Sequence, residues 1–188
     1  MNPFSTRRKF FGQTGQLSAL GLAILGGNMA LAQGMGGDAA KDAGILNVAL
    51  GLEHEAIGAY QLGAQSGLLQ KPVLDVAVQF QSHHKTHRDA LIDTIQKLGG
   101  RPVPEKSLGD YAKALKADTL KSQGDVLDLA ARLELGATNA YLGVIPAFMS
   151  KDLAKVAARL AADETMHFTI LTNALGRPLP SNALSFGA

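Results

Sequence analysis

One helical hairpin pattern occurs twice in this chain, and the repeat restricts the fold more than any other feature. The pattern LExxAxxAY occupies residues 52–60 and returns at 133–141, an offset of 81 residues. The pattern HxxH at 84–87 corresponds to ExxH at 164–167, an offset of 80. Similar turns, LGGRPVP and LGRPLP, follow the second member of each pair. Three matches in the same order favour a duplicated pair of helices.

Apolar residues recur at helical spacing in four long segments. These segments are residues 43–66, 72–98, 125–149 and 151–175. A connection at 101–124 separates the second from the third and contains a short helical piece at 110–121. No stretch alternates apolar and polar residues over a length typical of a strand. The sequence therefore predicts an all-α fold, an antiparallel four-helix bundle with a long connection between helices 2 and 3.

Six ionisable side chains interrupt the apolar faces that should meet in such a bundle. They are Glu53, His84, His87, Glu134, Glu164 and His167. An unpaired carboxylate is costly to bury, and several carboxylates in one core repel one another. A divalent cation removes both penalties, and carboxylate with imidazole suits iron, manganese or zinc. The six residues are therefore predicted to be metal ligands.

Each of these residues taken singly has a simpler explanation. A lone Glu on an apolar helix face is usually a boundary residue, and a lone core His is usually a hydrogen-bonded packing residue. Their occurrence on all four helices together is what favours a metal. Tyr60 and Tyr141 follow their glutamates by two helical turns and either donate hydrogen bonds to ligating carboxylates or serve as core aromatics. His54, Glu55 and His83 lie off the apolar faces and are expected at the surface.

Residues 1–32 have the character of an export signal. Arg7, Arg8 and Lys9 precede an apolar, glycine-rich run at 15–31, which ends in Ala-Leu-Ala at 30–32. The paired arginines resemble a twin-arginine signal, so we expect a periplasmic protein without a membrane span after cleavage. The alternative is a membrane anchor, but the run is short for one. A flexible spacer at 33–42, a helical domain at 43–176 and a tail at 177–188 would follow.

Charge and cysteine usage exclude several classes of function. Removal of three basic residues with the signal leaves 15 Lys and Arg against 16 Asp and Glu, so the basic balance belongs to the signal. Nothing predicts a nucleic-acid partner. The chain has no cysteine, so thiolate ligands, a cysteine nucleophile and disulfides are excluded.

The residues above resemble those of the ferritin-like superfamily. Its members take a Glu from each of two helices and a Glu-x-x-His from each of the other two. The resemblance spans roughly residues 45–175, and the exported ferritin-like domain proteins of bacteria are the most similar group. It implies that Glu53 and Glu134 are the single glutamates and that Glu164 and His167 are one complete pair. The other pair departs from the pattern because His84 stands where the family places a Glu.

The resemblance implies one or two iron or manganese ions, with zinc as an alternative. Three functions follow: a redox enzyme that handles oxygen, peroxide or ferrous iron in the periplasm, a non-catalytic metal-binding or stress-protection protein, and a structural bundle with a degenerate site. The sequence does not decide whether the chain is catalytic. A homodimer fits it better than a ferritin cage, because neither the long connection nor the proline-rich tail resembles a cage element.

Overall fold

The computed structural model describes residues 36–187, and within this range the chain is helical with no strand. The helices are α1 (Gly37–Gln65), α2 (Lys71–Lys97), α3 (Leu108–Ala114), α4 (Gln123–Val144) and α5 (Lys151–Ala174), with 3₁₀ turns at Ala117–Thr119 and Ile145–Ala147. The predicted all-α bundle is confirmed. The predicted export signal lies outside the described residues.

The first helix is longer than the sequence indicated. It begins at Gly37, so residues 37–42, which we assigned to the spacer, are helical. Asp42 holds this part of the helix against the bundle, because its carboxylate accepts hydrogen bonds from the backbone N–H groups of Met149 and Ser150, at 2.8 and 3.0 Å. Ser150 is the N-cap of α5, and its hydroxyl accepts from the N–H of Leu153. The start of α1 thereby fixes the start of α5.

The helices form two antiparallel hairpins, α1 with α2 and α4 with α5. Helix α1 is antiparallel to α4, since Tyr60 contacts Glu134 and Glu53 contacts Tyr141. Helices α2 and α5 are antiparallel and meet through side chains such as His83 and His167. Two apolar clusters, one containing Leu50 and Ile95 and the other Phe80 and Leu127, fill the bundle. No helix within residues 36–187 is long and apolar enough to cross a membrane.

The connection between α2 and α4 covers the outer side of α1. The Asn47 side chain donates to the carbonyl of Arg101 and accepts from the N–H of Val103. His54 Nε2 donates to the Val103 carbonyl at 3.3 Å. Because of this cover, His54 and Glu55 are only 4% and 3% exposed. Their predicted surface placement was therefore wrong.

Gly58 is the point of closest approach between this connection and α1. A Cβ at residue 58 would lie 2.7 Å from Cδ2 and 2.9 Å from Cγ of the buried Tyr111 ring. Gly58→Ala should destabilise the fold by about 1–3 kcal/mol, as overpacking does. Gly44→Ala in the same helix is the matched control, because no atom lies within 4 Å of its Cβ and alanine should stabilise the helix by about 0.5–1 kcal/mol. Urea unfolding of both variants measures the difference, and equal midpoints would refute this packing.

Candidate metal centre

All six ionisable residues predicted as ligands converge in the middle of the bundle. Glu53 comes from α1, His84 and His87 from α2, Glu134 from α4, and Glu164 and His167 from α5. None of the six is more than 7% exposed. These residues form two groups of four. Each residue contributes one donor atom to its group, and the four donor atoms of a group lie within 4.8 Å of one another. His84 and Glu164 belong to both groups.

The first group consists of Glu53, His84, His87 and Glu164. Glu53 Oε2 lies 2.8 Å from His84 Nδ1 and 3.6 Å from His87 Nδ1. Glu164 Oε1 lies 3.2 Å from His87 Nδ1 and 3.8 Å from His84 Nδ1. Two carboxylate oxygens and two imidazole nitrogens therefore surround one point.

The second group consists of His84, Glu134, Glu164 and His167. His84 Nε2 lies 3.1 Å from Glu134 Oε1. His167 Nδ1 lies 3.4 Å from Glu134 Oε2 and 3.4 Å from Glu164 Oε2. Glu164 thus turns one oxygen to each group, and the i, i+3 spacing of Glu164 and His167 places both on one face of α5 as predicted.

Several atoms that face these two points have no hydrogen-bond partner. They are Nδ1 of His87, Nδ1 of His167, Oε2 of Glu134 and both carboxylate oxygens of Glu164. A buried polar atom without a partner costs free energy that a native fold normally avoids. A cation at each point would satisfy all of them at once. The donor set therefore fits two divalent ions of the first transition series.

Two tyrosines tie the hairpins together around the centre. The Tyr60 hydroxyl on α1 donates to Glu134 Oε1 on α4, and the Tyr141 hydroxyl on α4 donates to Glu53 Oε1 on α1. The hydrogen bonds considered for these residues at the sequence level are present. Each bond fixes one oxygen of a carboxylate. The second oxygen of Glu53 faces His87 and that of Glu134 faces His167, while Glu134 Oε1 also contacts His84.

Loss of either tyrosine hydroxyl should weaken metal binding at one group. We expect Tyr141→Phe to affect the Glu53 group and Tyr60→Phe the Glu134 group, each lowering affinity by about 10- to 100-fold, as removal of such orienting partners does. Tyr111→Phe is the control, because this buried tyrosine accepts from the N–H of Lys106 away from the centre. Calorimetric titration with Mn²⁺ would measure the affinities, and three indistinguishable variants would contradict the assignment.

Two further residues hold the outer nitrogens of the histidines. His87 Nε2 lies 3.3 Å from Asp163 Oδ2, and His167 Nε2 lies 2.9 Å from His83 Nδ1. Phe80 also stacks on the His167 ring, with 4.1 Å between centroids. Sequence reasoning missed Asp163 and placed His83 at the surface, whereas His83 is half-buried against His167. The repeat contained the signal, because residues 83 and 163 are related by the same offset of 80.

The charges of the metal-free centre are strongly coupled. Burial disfavours the charged carboxylate of Glu53, but the hydrogen bond from His84 and the nearby imidazole of His87 outweigh burial and lower its pKa to about 2. Burial, followed by the neighbouring Glu134 carboxyl, raises the pKa of Glu164 to about 7. The pKa of His84 lies well above its ordinary value because its hydrogen bonds to Glu134 and Glu53 exceed the effect of burial. Protons therefore stand where ions would bind, and an arriving ion must displace them.

The comparisons with known proteins agree with this architecture. The sequence model of one family, described as a ferritin-like domain, matches residues 41–177, well over half of the chain. Neither the curated proteins nor the solved structures gave a significant match. The matched range includes α1 from residue 41 onward, all of α2, α4 and α5, and every residue of the centre, from Glu53 to His167. The chain therefore belongs to the family of proteins with a ferritin-like domain.

Proposed function

We propose that this protein is a periplasmic metalloprotein that holds two iron or manganese ions and uses them to react with dioxygen or peroxide. The observation that carries the proposal is the set of unpartnered, buried donor atoms on His87, Glu134, Glu164 and His167. They face two adjacent points rather than one. Bound iron or manganese would supply one-electron redox chemistry, and the chain has no cysteine thiol that could take part instead.

The side chains of the centre would hold the ions and leave room for an oxidant. Each group supplies four donors, counting His84 and Glu164 in both. Iron and manganese commonly accept more than four ligands, so positions for a small molecule remain. The surrounding Tyr60, Tyr141 and Phe80 are each no more than 6% exposed and exclude bulk water. A dry, fixed donor set is what such chemistry requires of a protein.

An apolar cavity of about 260 Å³ favours dioxygen as the small molecule. It is lined by side chains that include Val73, Val76, Leu127 and Ile170, and it reaches Tyr60. Tyr60 in turn contacts Glu134. An apolar gas would partition into such a cavity more readily than water does. The cavity therefore supports a route for dioxygen to the Glu134 side of the centre.

A non-catalytic zinc-binding protein is the second candidate. The supporting observation is the number of donors, since four protein ligands complete the tetrahedral shell that zinc takes in structural sites. Such a protein would store or buffer metal without turnover. The two candidates differ in the metal that the protein carries and in whether it consumes an oxidant.

Metal analysis of protein exported by its own signal tests both candidates. We expect two iron or manganese ions per chain, together with ferrous oxidation or peroxide consumption that chelation abolishes. Two zinc ions without turnover would favour the second candidate. An absence of metal, with no change in melting temperature on adding iron, manganese or zinc, would overturn both and leave a structural bundle.

Export through the twin-arginine route is a separate part of the proposal. The support is Arg7 and Arg8 ahead of the apolar run at 15–31. Exchange of both arginines for lysine preserves the charge, and we expect it to leave the protein in the cytoplasm. Cell fractionation measures the outcome, with a single Lys9→Arg exchange as the control. Unchanged export of the double variant would refute this route.

A further inference from the structure

His84 differs from the other two histidines of the centre in the direction of its ring nitrogens. His87 and His167 turn Nδ1 toward the carboxylates and hold Nε2 in a hydrogen bond with Asp163 or His83. This division is typical of a terminal metal ligand, which binds through one nitrogen and is oriented through the other. Both nitrogens of His84 instead face carboxylates of the centre.

The two nitrogens of His84 serve different groups. Nδ1 lies 2.8 Å from Glu53 Oε2, a donor of the first group. Nε2 lies 3.1 Å from Oε1 of Glu134, and Glu134 belongs to the second group. The ring is 1% exposed and packs against the Tyr60 ring at 5.4 Å, so its plane is held between the two groups.

Glu164 is the counterpart of His84 in the repeat and has the same relation to the two groups. Its Oε1 lies 3.2 Å from His87 Nδ1, and its Oε2 lies 3.4 Å from His167 Nδ1. One residue on α5 and one on α2 therefore each present a donor atom to both groups. The remaining ligands, one Glu and one His in each group, face a single point.

We propose that His84 bridges the two ions through both ring nitrogens, opposite the carboxylate bridge of Glu164. The proposal rests on the proposed dinuclear function and specifies how this chain, which has an imidazole where its repeat has a carboxylate, can still hold a pair of ions. Glu53 and His87 complete one set of four donors, and Glu134 and His167 complete the other.

Charge balance supports a deprotonated bridge. The ring gives up both N–H protons to solvent, and the electron pair of each N–H bond becomes the pair donated to one ion. Two divalent ions carry four positive charges, and the three carboxylates of the centre supply three negative charges. The imidazolate supplies the fourth. A neutral centre is favoured in a site as buried as this one.

Long-range ¹H–¹⁵N NMR of the ¹⁵N-labelled full chain, loaded with Zn²⁺, tests the bridge directly. Zinc is diamagnetic and accepts four ligands. With two zinc ions bound, we expect His87 and His167 to keep one ring N–H each and His84 to have none. His54, whose Nε2 donates to Val103 outside the centre, should keep its N–H throughout and serves as the internal control.

Three variants provide a second measurement. His84→Ala should lower zinc affinity at least tenfold at both sites, whereas His87→Ala should do so at one site only. His84→Glu restores a bridging carboxylate and should retain both ions. A ring N–H on His84 with two zinc ions bound would overturn the bridge and leave the dinuclear function standing. Binding of a single zinc ion would overturn the bridge and the pairing of ions, and binding of neither zinc, manganese nor iron would overturn the metal function itself.

Discussion

Exchange of Glu164 for glutamine should abolish tight binding of both ions and should also make the metal-free protein more stable above neutral pH. Glu164 turns Oε1 to His87 and Oε2 to His167, so one carboxylate serves both groups of donors. The amide has one oxygen and no charge. We expect affinity at each site to fall by more than the roughly 10- to 100-fold that loss of an orienting partner costs.

Glutamine should stabilise the metal-free protein, although it weakens metal binding, because no cation there compensates the buried charge of the Glu164 carboxylate. Burial raises the pKa of Glu164 from 4.5 to about 7, so the folded state holds its proton more tightly than the unfolded state. The stability that this proton contributes is complete below pH 4.5 and is lost as the pH rises to about 7. At pH 8 the cost is on the order of 3 kcal/mol, which glutamine avoids because it cannot ionise. The variant should therefore melt about 6–12 °C higher than the metal-free wild type.

Calorimetric titration with Mn²⁺ and thermal melting at pH 8 measure the two effects. Glu105→Gln is the matched control, since this carboxylate is exposed in the connection and its loss should change stability by no more than about 0.5 kcal/mol. Retention of two ions at unchanged affinity by Glu164→Gln would place the metal elsewhere. A metal-free variant less stable than the wild type would contradict the assigned cost of the buried charge.

The helices and the convergence of the six ionisable residues could be predicted from the sequence. Helical periodicity identifies four long segments, and the repeat relates Glu53 to Glu134 and His87 to His167. These signals are local, because a residue on the apolar face of an amphipathic helix must face the other helices wherever they lie. The bundle is confirmed, whereas the role of these residues as ligands stays a prediction.

The parts that could not be predicted depend on contacts between distant segments. His54 and Glu55 lie off the apolar face of α1, and only the path of the connection past Asn47 and Gly58 buries them. Asp42 in the first turns of α1 likewise accepts hydrogen bonds from residues more than 100 positions away, just before α5. Such tertiary contacts override local preference, and periodicity carries no information about them.

The orientation of the His84 ring could not be predicted from the sequence either. Its place on the apolar face of α2 identified it as a residue of the centre, but a helical position does not say where two ring nitrogens point. The structure shows that α1 and α4 place Glu53 and Glu134 on opposite sides of the ring. His84 in place of a Glu removes one carboxylate from the centre. The two groups nevertheless each keep four donors.

Manganese should raise the melting temperature of the wild type far more at pH 8 than at pH 6. In the metal-free protein, burial opposes the charged form of His87, but the adjacent carboxylates of Glu164 and Glu53 outweigh burial and raise the pKa of His87 to about 10. The stabilisation from this proton is complete below pH 6.5 and is lost as the pH rises toward 10. The contribution of Glu164 is lost between pH 4.5 and 7. The metal-free fold therefore weakens over the range in which ligands deprotonate and metal affinity rises.

The size of the effect follows from mass action. An ion present at 1,000 times its dissociation constant stabilises the fold by about 4.1 kcal/mol, or about 8–16 °C for a domain of this size. Each tenfold loss of affinity on acidification removes about 1.4 kcal/mol. Glu53 does not reverse the trend, because its stabilising charge, with a pKa of about 2, is lost only as the pH falls below 4.5.

Differential scanning calorimetry with and without Mn²⁺ at both pH values provides the test. Glu164→Gln is the control, because its melting temperature should not respond to manganese at either pH. An equal or smaller shift at pH 8 would show that protons and metal ions do not compete for these side chains.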